Sequence, residues 1–146
     1  MAILNRLPMK DRLRSWGMEI DSRSNLCHNE YETRDHVYFE CVYTKEVWQK
    51  ILQPCKIDRR VGSWYTELSW SENRLKGKAL ISTLLRIAWN ACIYFIWGER
   101  NQRIFKQGEM TTAQMVDKVK EIVRYRLHGL KHIAGDMNSY IVADSC

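Results

Sequence analysis

The stretch ALISTLLRIAWNACIYFIWG, residues 79–98, is apolar along nearly its whole length and is the strongest structural signal in the sequence. It lies inside the longest helix that the sequence predicts, from about residue 72 to residue 105. Such a run is also long enough to cross a lipid bilayer, but Arg86 and Asn90 lie near its middle, where a charged residue costs roughly 2.5–3.5 kcal/mol. We therefore predict a central helix of an all-α fold, with no membrane partner. The side chains expected to be buried are Trp89, Ile93 and Ile96.

Shorter amphipathic helices are predicted on both sides of the central helix. After it, Thr111 or Thr112 is expected to cap a last helix, whose apolar side chains recur every three or four residues and are typical of a helix that packs on another helix. This terminal stripe consists of Val116, Val119, Val123, Leu127 and Leu130. The earlier helices are predicted over residues 8–16, from a cap at Thr33 or Asp35, from a cap at Thr44 to Pro54, and around Trp64 and Leu68.

The composition is that of an intracellular globular protein. Of the 146 residues, 45% are hydrophobic and 27% are charged, which excludes a disordered or low-complexity chain. Only seven glycines and two prolines leave few turn residues for an all-β fold. Five cysteines, an odd number, without a signal sequence at the start, favour reduced thiols inside the cell, in the nucleus or the cytoplasm. We expect two segments, residues 1–55 and 56–146, packed as one compact unit.

Positive charge is concentrated in the second of these segments. Residues 1–55 hold 8 basic and 8 acidic side chains, whereas residues 56–146 hold 15 and 9, so the whole net charge of +6 lies there. A basic surface favours polyanionic partners such as nucleic acid. Cations are also expected on any solvated helix face, so the charge count alone does not choose between a binding surface and an ordinary one.

Residue types that bind metal ions cluster in the N-terminal segment, at Cys27, His28, His36 and Cys41. Zinc takes four nitrogen or sulfur ligands, commonly one close cysteine pair and a second pair about ten residues further on. The second pair is present here, but the position three before Cys27 is Ser24, whose hydroxyl is a poor zinc ligand beside a thiolate. Two interpretations stay open: an incomplete zinc site, or buried structural thiols with His36 at the start of a helix.

Several motifs at matching spacings resemble one known family. They are LPMKDRL at 7–13, WG at 16–17, ETRDHV at 32–37 with Cys41, VW at 47–48, and YFIWGERN at 94–101 followed by IF at 104–105. Together they resemble the zinc-binding domain found downstream of the reverse transcriptase in plant LINE-type, non-LTR retrotransposons. The resemblance covers roughly residues 2–106.

This resemblance implies a set of metal ligands. The family's ligands fall on Cys27, His36 and Cys41. Its first cysteine falls on Ser24, so three alternatives stay open: a fourth position filled by water, His28 or Cys55, a site that binds zinc weakly, or a site that has decayed. Zinc is therefore the cofactor that the resemblance implies, at an incomplete site whose fourth ligand stays open.

Catalysis is not expected. The sequence contains no Tyr-x-Asp-Asp motif and no glycine-rich phosphate loop, and its aspartates are not spaced like those of a nuclease. We expect a stand-alone fragment of a mobile element that binds RNA or DNA mainly through phosphates. The cations expected at those phosphates are Arg59, Arg60, Arg100, Arg103, Lys120, Arg124 and Arg126. The alternative is a protein-interaction module with a host role, in which the terminal stripe docks on a second copy or on another protein.

Overall fold

The computed structural model describes the backbone of residues 7–134 and the side chains of residues 7–129. Its helices are α1 (Lys10–Ser15), a π-helical turn (His36–Glu40), α2 (Val42–Leu52), α3 (Trp64–Arg74), α4 (Leu80–Ile104) and α5 (Thr112–Ala134). Apart from one isolated antiparallel bridge between Arg23 and Tyr31, the described residues contain no β structure. The predicted all-α fold with one long helix is confirmed.

The N-terminal helices begin and end largely at the predicted signals. Gly17 follows α1 with φ of +88°, the left-handed conformation that ends a helix. The Thr33 hydroxyl accepts a hydrogen bond from the backbone N–H of His36 at 3.1 Å, as a cap does. The expected cap at Thr44 is wrong, because Thr44 lies one turn inside α2 and its hydroxyl donates to the carbonyl of Val37.

The long helix starts later than predicted. The predicted element over residues 72–105 is divided between the end of α3 and α4, with residues 75–79 as the connection. Lys76, Gly77 and Lys78 lie in that connection and are all exposed. Within α4, Trp89 and Ile96 are buried as predicted, whereas Ile93 is only half buried.

The hydrophobic core joins the two segments of the chain. Phe39 from the π-helical turn, Trp48 of α2 and Trp89 of α4 lie against one another, with ring centroids 5.1–5.7 Å apart. Helix α5 packs on both α2 and α4. One cluster of buried side chains therefore runs from Met9 to Leu127.

The terminal stripe belongs to this core. Four of its members, Val116, Val119, Val123 and Leu127, are buried in the chain itself, and the side chain of Leu130 lies outside the described part. These four side chains are thus covered by the chain itself in this fold. Thr111 is the cap of α5: it accepts from the N–H of Gln114, whose side chain accepts from the N–H of Thr111.

Among the described helices, α4 alone has the length and apolar composition of a membrane span. Much of its apolar surface is used within the fold, because Leu84, Leu85, Ala88, Cys92 and Ile96 are buried in the shared core. This burial accounts for the apolar run that dominates the sequence.

Candidate metal centre

A tight turn over residues 24–28 carries the first metal-binding side chain. The backbone N–H of His28 donates to the carbonyl of Ser24 at 2.8 Å, and the N–H of Leu26 donates to the Ser24 hydroxyl at 3.2 Å. The N–H of Ser24 in turn donates to the carbonyl of Glu30 at 2.8 Å. These bonds close a compact loop that presents the thiol of Cys27.

The second and third donors come from the junction between the π-helical turn and α2. His36 is the first residue of the turn, and Cys41 occupies the cap position of α2 with an extended backbone. The N–H of Cys41 donates to the carbonyl of His36 at 2.7 Å, so the two residues are fixed to each other. The wide π-helical geometry places their side chains on the same side, facing Cys27.

The three donor atoms meet in space. The Sγ atoms of Cys27 and Cys41 and a ring nitrogen of His36 all lie within 4.8 Å of one another, and the Cys27 Sγ is 3.3 Å from the His36 Nε2. In a tetrahedral zinc site, bond lengths near 2.3 Å for sulfur and 2.0 Å for nitrogen place ligand atoms about 3.5–3.8 Å apart. Two thiols and one imidazole at this spacing fit a zinc ion as three of its four ligands.

Ser24 lies at this cluster, whereas the other two candidate ligands do not. Its side chain is fully buried, and its hydroxyl helps to lower the pKa of the Cys27 thiol. His28 is exposed and outside the group of donors, and Cys55 lies instead beside Ile51 at the end of α2. The position that resembles a family cysteine is therefore occupied by a serine whose backbone still forms the ligand-bearing turn.

The surroundings of Cys27 and His36 favour the deprotonated forms that bind a metal ion. Burial disfavours ionisation of the Cys27 thiol, but the backbone N–H groups of Glu30 and Asn29 donate to it and bring its pKa below the usual value. Burial lowers the pKa of His36, which keeps the imidazole neutral. Burial raises the pKa of Cys41 to about 11, and the adjacent Cys27 thiol adds to the rise. A metal ion bound here would displace the proton of Cys41.

Arg100 and Arg103, predicted at a phosphate-binding surface, are buried in ion pairs. Arg100 makes a two-pronged contact with Glu32, at 2.6 and 3.1 Å, and the two side chains are 6% and 0% exposed. The backbone N–H of Lys10 also donates to this carboxylate at 2.9 Å. Arg103 donates to Glu99 at 2.8 Å, with exposures of 8% and 1%. Both guanidiniums are therefore engaged in ion pairs and largely shielded from solvent, unlike the exposed position expected of a phosphate contact.

The other predicted phosphate contacts fall on separate surfaces. Arg59 is paired with the buried carboxylate of Glu67 at 2.7 Å, whereas Arg60 is exposed. On α5, Arg124 and Arg126 are exposed and Lys120 is half buried. Because two residues along an α-helix are about 200° apart, Arg126 lies on a different side of α5 from Arg124.

Sequence reasoning missed the acidic partners of these arginines. Glu99 and Arg103 are four residues apart on α4, a spacing that does signal an ion pair. Glu32 and Arg100 are 68 positions apart, and no local pattern joins them. The only signal for that pair was that both residues belong to motifs of the same family resemblance, ETRDHV and YFIWGERN.

Comparison with known proteins supports the N-terminal part of that resemblance. Residues 1–48 match a family described as zinc-binding in reverse transcriptase, which is about a third of the chain and includes all three donors and Ser24. No curated protein and no solved structure matches the chain. The donor cluster thus lies within the segment that is similar to a reverse-transcriptase zinc-binding family.

Proposed function

We propose that the chain is a non-catalytic nucleic-acid-binding module derived from a plant LINE-type retrotransposon. The observation that carries the proposal is the convergence of Cys27, His36 and Cys41 inside the segment that matches the reverse-transcriptase zinc-binding family. A reverse transcriptase works on RNA and DNA, so a module from its polyprotein is expected to meet both. Cys27 and Cys41 are free thiols, as such a site needs, whereas Cys55 is disulfide-bonded, and an intracellular location is part of the proposal.

Zinc held at this centre would supply folding free energy rather than catalysis. Cys27 fixes the turn over residues 24–28, and His36 with Cys41 fixes the start of α2. Joining these two parts would stiffen the N-terminal segment against the core. The segment then acts as a scaffold for a binding surface that lies elsewhere in the chain.

Phosphate contacts are expected on two sides of α5, where exposed cations make no ion pair with a described carboxylate. Within the described residues, Arg124 and Arg126 have no carboxylate partner. Each such cation can neutralise one phosphate and release a counterion. Lys120 and the exposed Arg60 are the other two predicted cations that we still expect to contact phosphates.

A groove between α4 and α5 supports contact with unpaired bases. Its volume is about 450 Å³, its floor is apolar, and Tyr94 and Arg126 lie among its lining residues. The Tyr94 side chain is 75% exposed, and Lys118 lies over the adjacent ring of Phe95 at 5.0 Å. An exposed aromatic ring beside cations is the arrangement that stacks on bases of single strands.

The interaction-module alternative loses the surface on which it rested. Four side chains of the terminal stripe are buried in the chain, and α5, which carries them, packs on α2 and α4. Its burial leaves the charged faces of α5, rather than its apolar face, exposed for a partner. A polyanion is the partner that such faces favour.

A salt-dependent binding assay tests the proposal. Fluorescence anisotropy would measure the affinity of the full chain for a labelled single-stranded RNA and for a DNA duplex between low and physiological salt. The test variant carries Lys120→Gln, Arg124→Gln and Arg126→Gln. We expect weaker binding to all sequences and a salt slope shallower by roughly 0.7–0.9 for each phosphate that the variant no longer neutralises.

A matched variant controls for net charge. It carries Arg74→Gln, Lys76→Gln and Lys78→Gln, three exposed cations at the end of α3 and in the connection to α4. We expect this variant to bind nearly as the wild type does. Equal losses in the two variants would place the effect in total charge rather than on α5, and a wild-type chain that binds neither probe at low salt contradicts the proposal.

A tyrosine pair tests the groove separately. Tyr94→Ala should weaken binding to single-stranded RNA several-fold and leave the duplex affinity unchanged, because only unpaired bases can stack on the ring. Tyr65→Ala, on α3, removes a ring of similar exposure, 70%, outside the groove. If both variants behave alike, base stacking at Tyr94 is excluded.

A further inference from the structure

Arg103 spans the two cysteine-bearing parts of the metal centre. Its Nη1 donates to the carbonyls of Asn25 and Leu26 at 3.2 and 3.0 Å, inside the turn that presents Cys27. On its other side the guanidinium lies 4.8 Å from the ring centroid of Tyr43, two residues after Cys41. One buried side chain of α4 thus touches both chain segments that supply thiols.

The position of Arg103 is itself tightly determined. Its Nε donates to Glu99 at 2.8 Å, and its Nη2 donates to the carbonyl of Met110 at 3.1 Å. That carbonyl also accepts from the Tyr43 hydroxyl at 2.8 Å, and the N–H of Met110 donates to Glu99 at 2.7 Å. Every nitrogen of the guanidinium is used, and the group is held by α4, the loop before α5, and α2.

We propose that Arg103 is a positioning residue of the metal centre, and that metal affinity therefore depends on the end of α4. The inference rests on the zinc-binding part of the proposed function. The donor set is one ligand short of a closed site, so its affinity depends more on how well the three donors are held in place. The segment of residues 1–48 that matches the family lacks this support, which lies 55 residues beyond its end.

Arginine is suited to this role in a way that lysine is not. The planar guanidinium donates in several fixed directions at once, to Glu99 and to three carbonyls. An ammonium is a single point charge on a flexible stem and cannot reproduce that fork. Arg103→Lys therefore keeps a cation beside the buried Glu99 while it releases the turn over residues 24–28.

The test measures metal binding by the full chain. Zn²⁺ affinity would be determined by competition with a chromophoric chelator, and the absorption spectrum of the Co²⁺-loaded protein would report the ligand geometry. We expect Arg103→Lys to lower Zn²⁺ affinity about 10- to 100-fold, the usual effect of losing a group that orients metal ligands, and to alter the Co²⁺ spectrum. Arg103→Gln is expected to lower it at least as far.

Arg59→Gln is the matched control for general destabilisation. It also leaves a buried carboxylate, Glu67, without its arginine, but the Arg59 guanidinium contacts Glu67 and Trp70 of α3 and neither the turn over residues 24–28 nor Tyr43. We expect it to lower stability and to leave Zn²⁺ affinity and the Co²⁺ spectrum unchanged.

The outcomes separate the positioning role from the metal centre itself. Wild-type affinity in Arg103→Lys, or an equal loss in Arg59→Gln, overturns the positioning role while the metal centre stands. A wild-type chain that binds neither Zn²⁺ nor Co²⁺ overturns the metal centre and, with it, this inference.

Discussion

The end of α4 and the middle of α5 each carry two arginines within four residues, yet the structure places them in opposite environments. Arg100 and Arg103 are buried, and each is paired with a carboxylate that is almost completely inaccessible to solvent. Arg124 and Arg126 are exposed, and within the described residues neither has an ion-pair partner. The first pair therefore holds the fold together, and the second is available to a ligand.

This comparison shows why a charge count overstates a binding surface. Residues 56–146 carry the whole excess of positive charge, but Arg59, Arg100 and Arg103 are each neutralised by a buried glutamate. Burying a charge is tolerated only when a partner compensates it. Only the cations that are not paired with a buried carboxylate are available to bind a polyanion.

The largest expected effect is the loss of a buried partner at the end of α4. Arg100→Gln leaves the Glu32 carboxylate buried without its guanidinium, and we expect a loss of about 3–5 kcal/mol in the free energy of unfolding. Urea denaturation followed by circular dichroism would measure it. Adding Glu32→Gln should recover part of the loss, because the uncompensated charge is then removed.

The control for Arg100→Gln is the same substitution at an exposed arginine of α5. Arg124→Gln should alter stability by no more than about 0.5 kcal/mol. If Arg100→Gln costs less than about 1 kcal/mol, the contrast between the two helix regions is wrong.

The second prediction concerns the metal centre, which has three ligands, Cys27, His36 and Cys41, and lacks a fourth. Purified wild-type protein should contain less than one zinc ion per chain, whereas Ser24→Cys supplies the missing thiolate and should bind zinc at least about tenfold more tightly. Metal analysis and chelator competition would measure both quantities. Ser15→Cys adds an exposed thiol on α1 and should change neither. Full and equal occupancy in wild type and Ser24→Cys would mean that the existing site is complete.

The third prediction concerns how α5 is held in place without ion pairs. Thr111 and Gln114 form a reciprocal cap at its start, so Thr111→Ala should cost about 1 kcal/mol of stability. Thr112→Ala removes a half-buried hydroxyl that donates to Glu46 and accepts a long contact from Lys50 at 3.4 Å, and it should cost less because the cap is kept. Thermal unfolding of the two variants would rank them, and the reverse order would show that the cap is not the stabilising contact.

The helices and the donor cluster were predictable because their signals are local. A helix periodicity of three or four residues located α5, and Thr111 was one of the two caps expected. Cys27, His36 and Cys41 lie within fifteen positions of one another, so spacing and family motifs sufficed to bring them together. Residues 1–48, which include all three donors, are similar to the family that the motifs indicated.

The remaining features depend on contacts that are remote in sequence. Periodicity showed that Val116 and Val119 lie on a buried face but not that the covering surface is α2 and α4 of the same chain. The apolar run likewise gave no sign that residues 75–79 interrupt the helix before α4. The pairing of Arg100 with Glu32 requires the tertiary fold, and Arg100 was therefore assigned to a surface.

The smallest expected effect is the change in stability when the three cations of α5 are replaced together. The variant that carries Lys120→Gln, Arg124→Gln and Arg126→Gln should unfold within about 0.5 kcal/mol per site of the wild type, because no described carboxylate loses a partner. Lys120 is the member that should contribute most, since its side chain is half buried beside Cys55 and Val123. Urea denaturation beside Arg100→Gln would measure the contrast directly. A loss as large as that of Arg100→Gln would show that the α5 cations are structural after all, and α5 would then offer nucleic acid none of the three charges proposed for it.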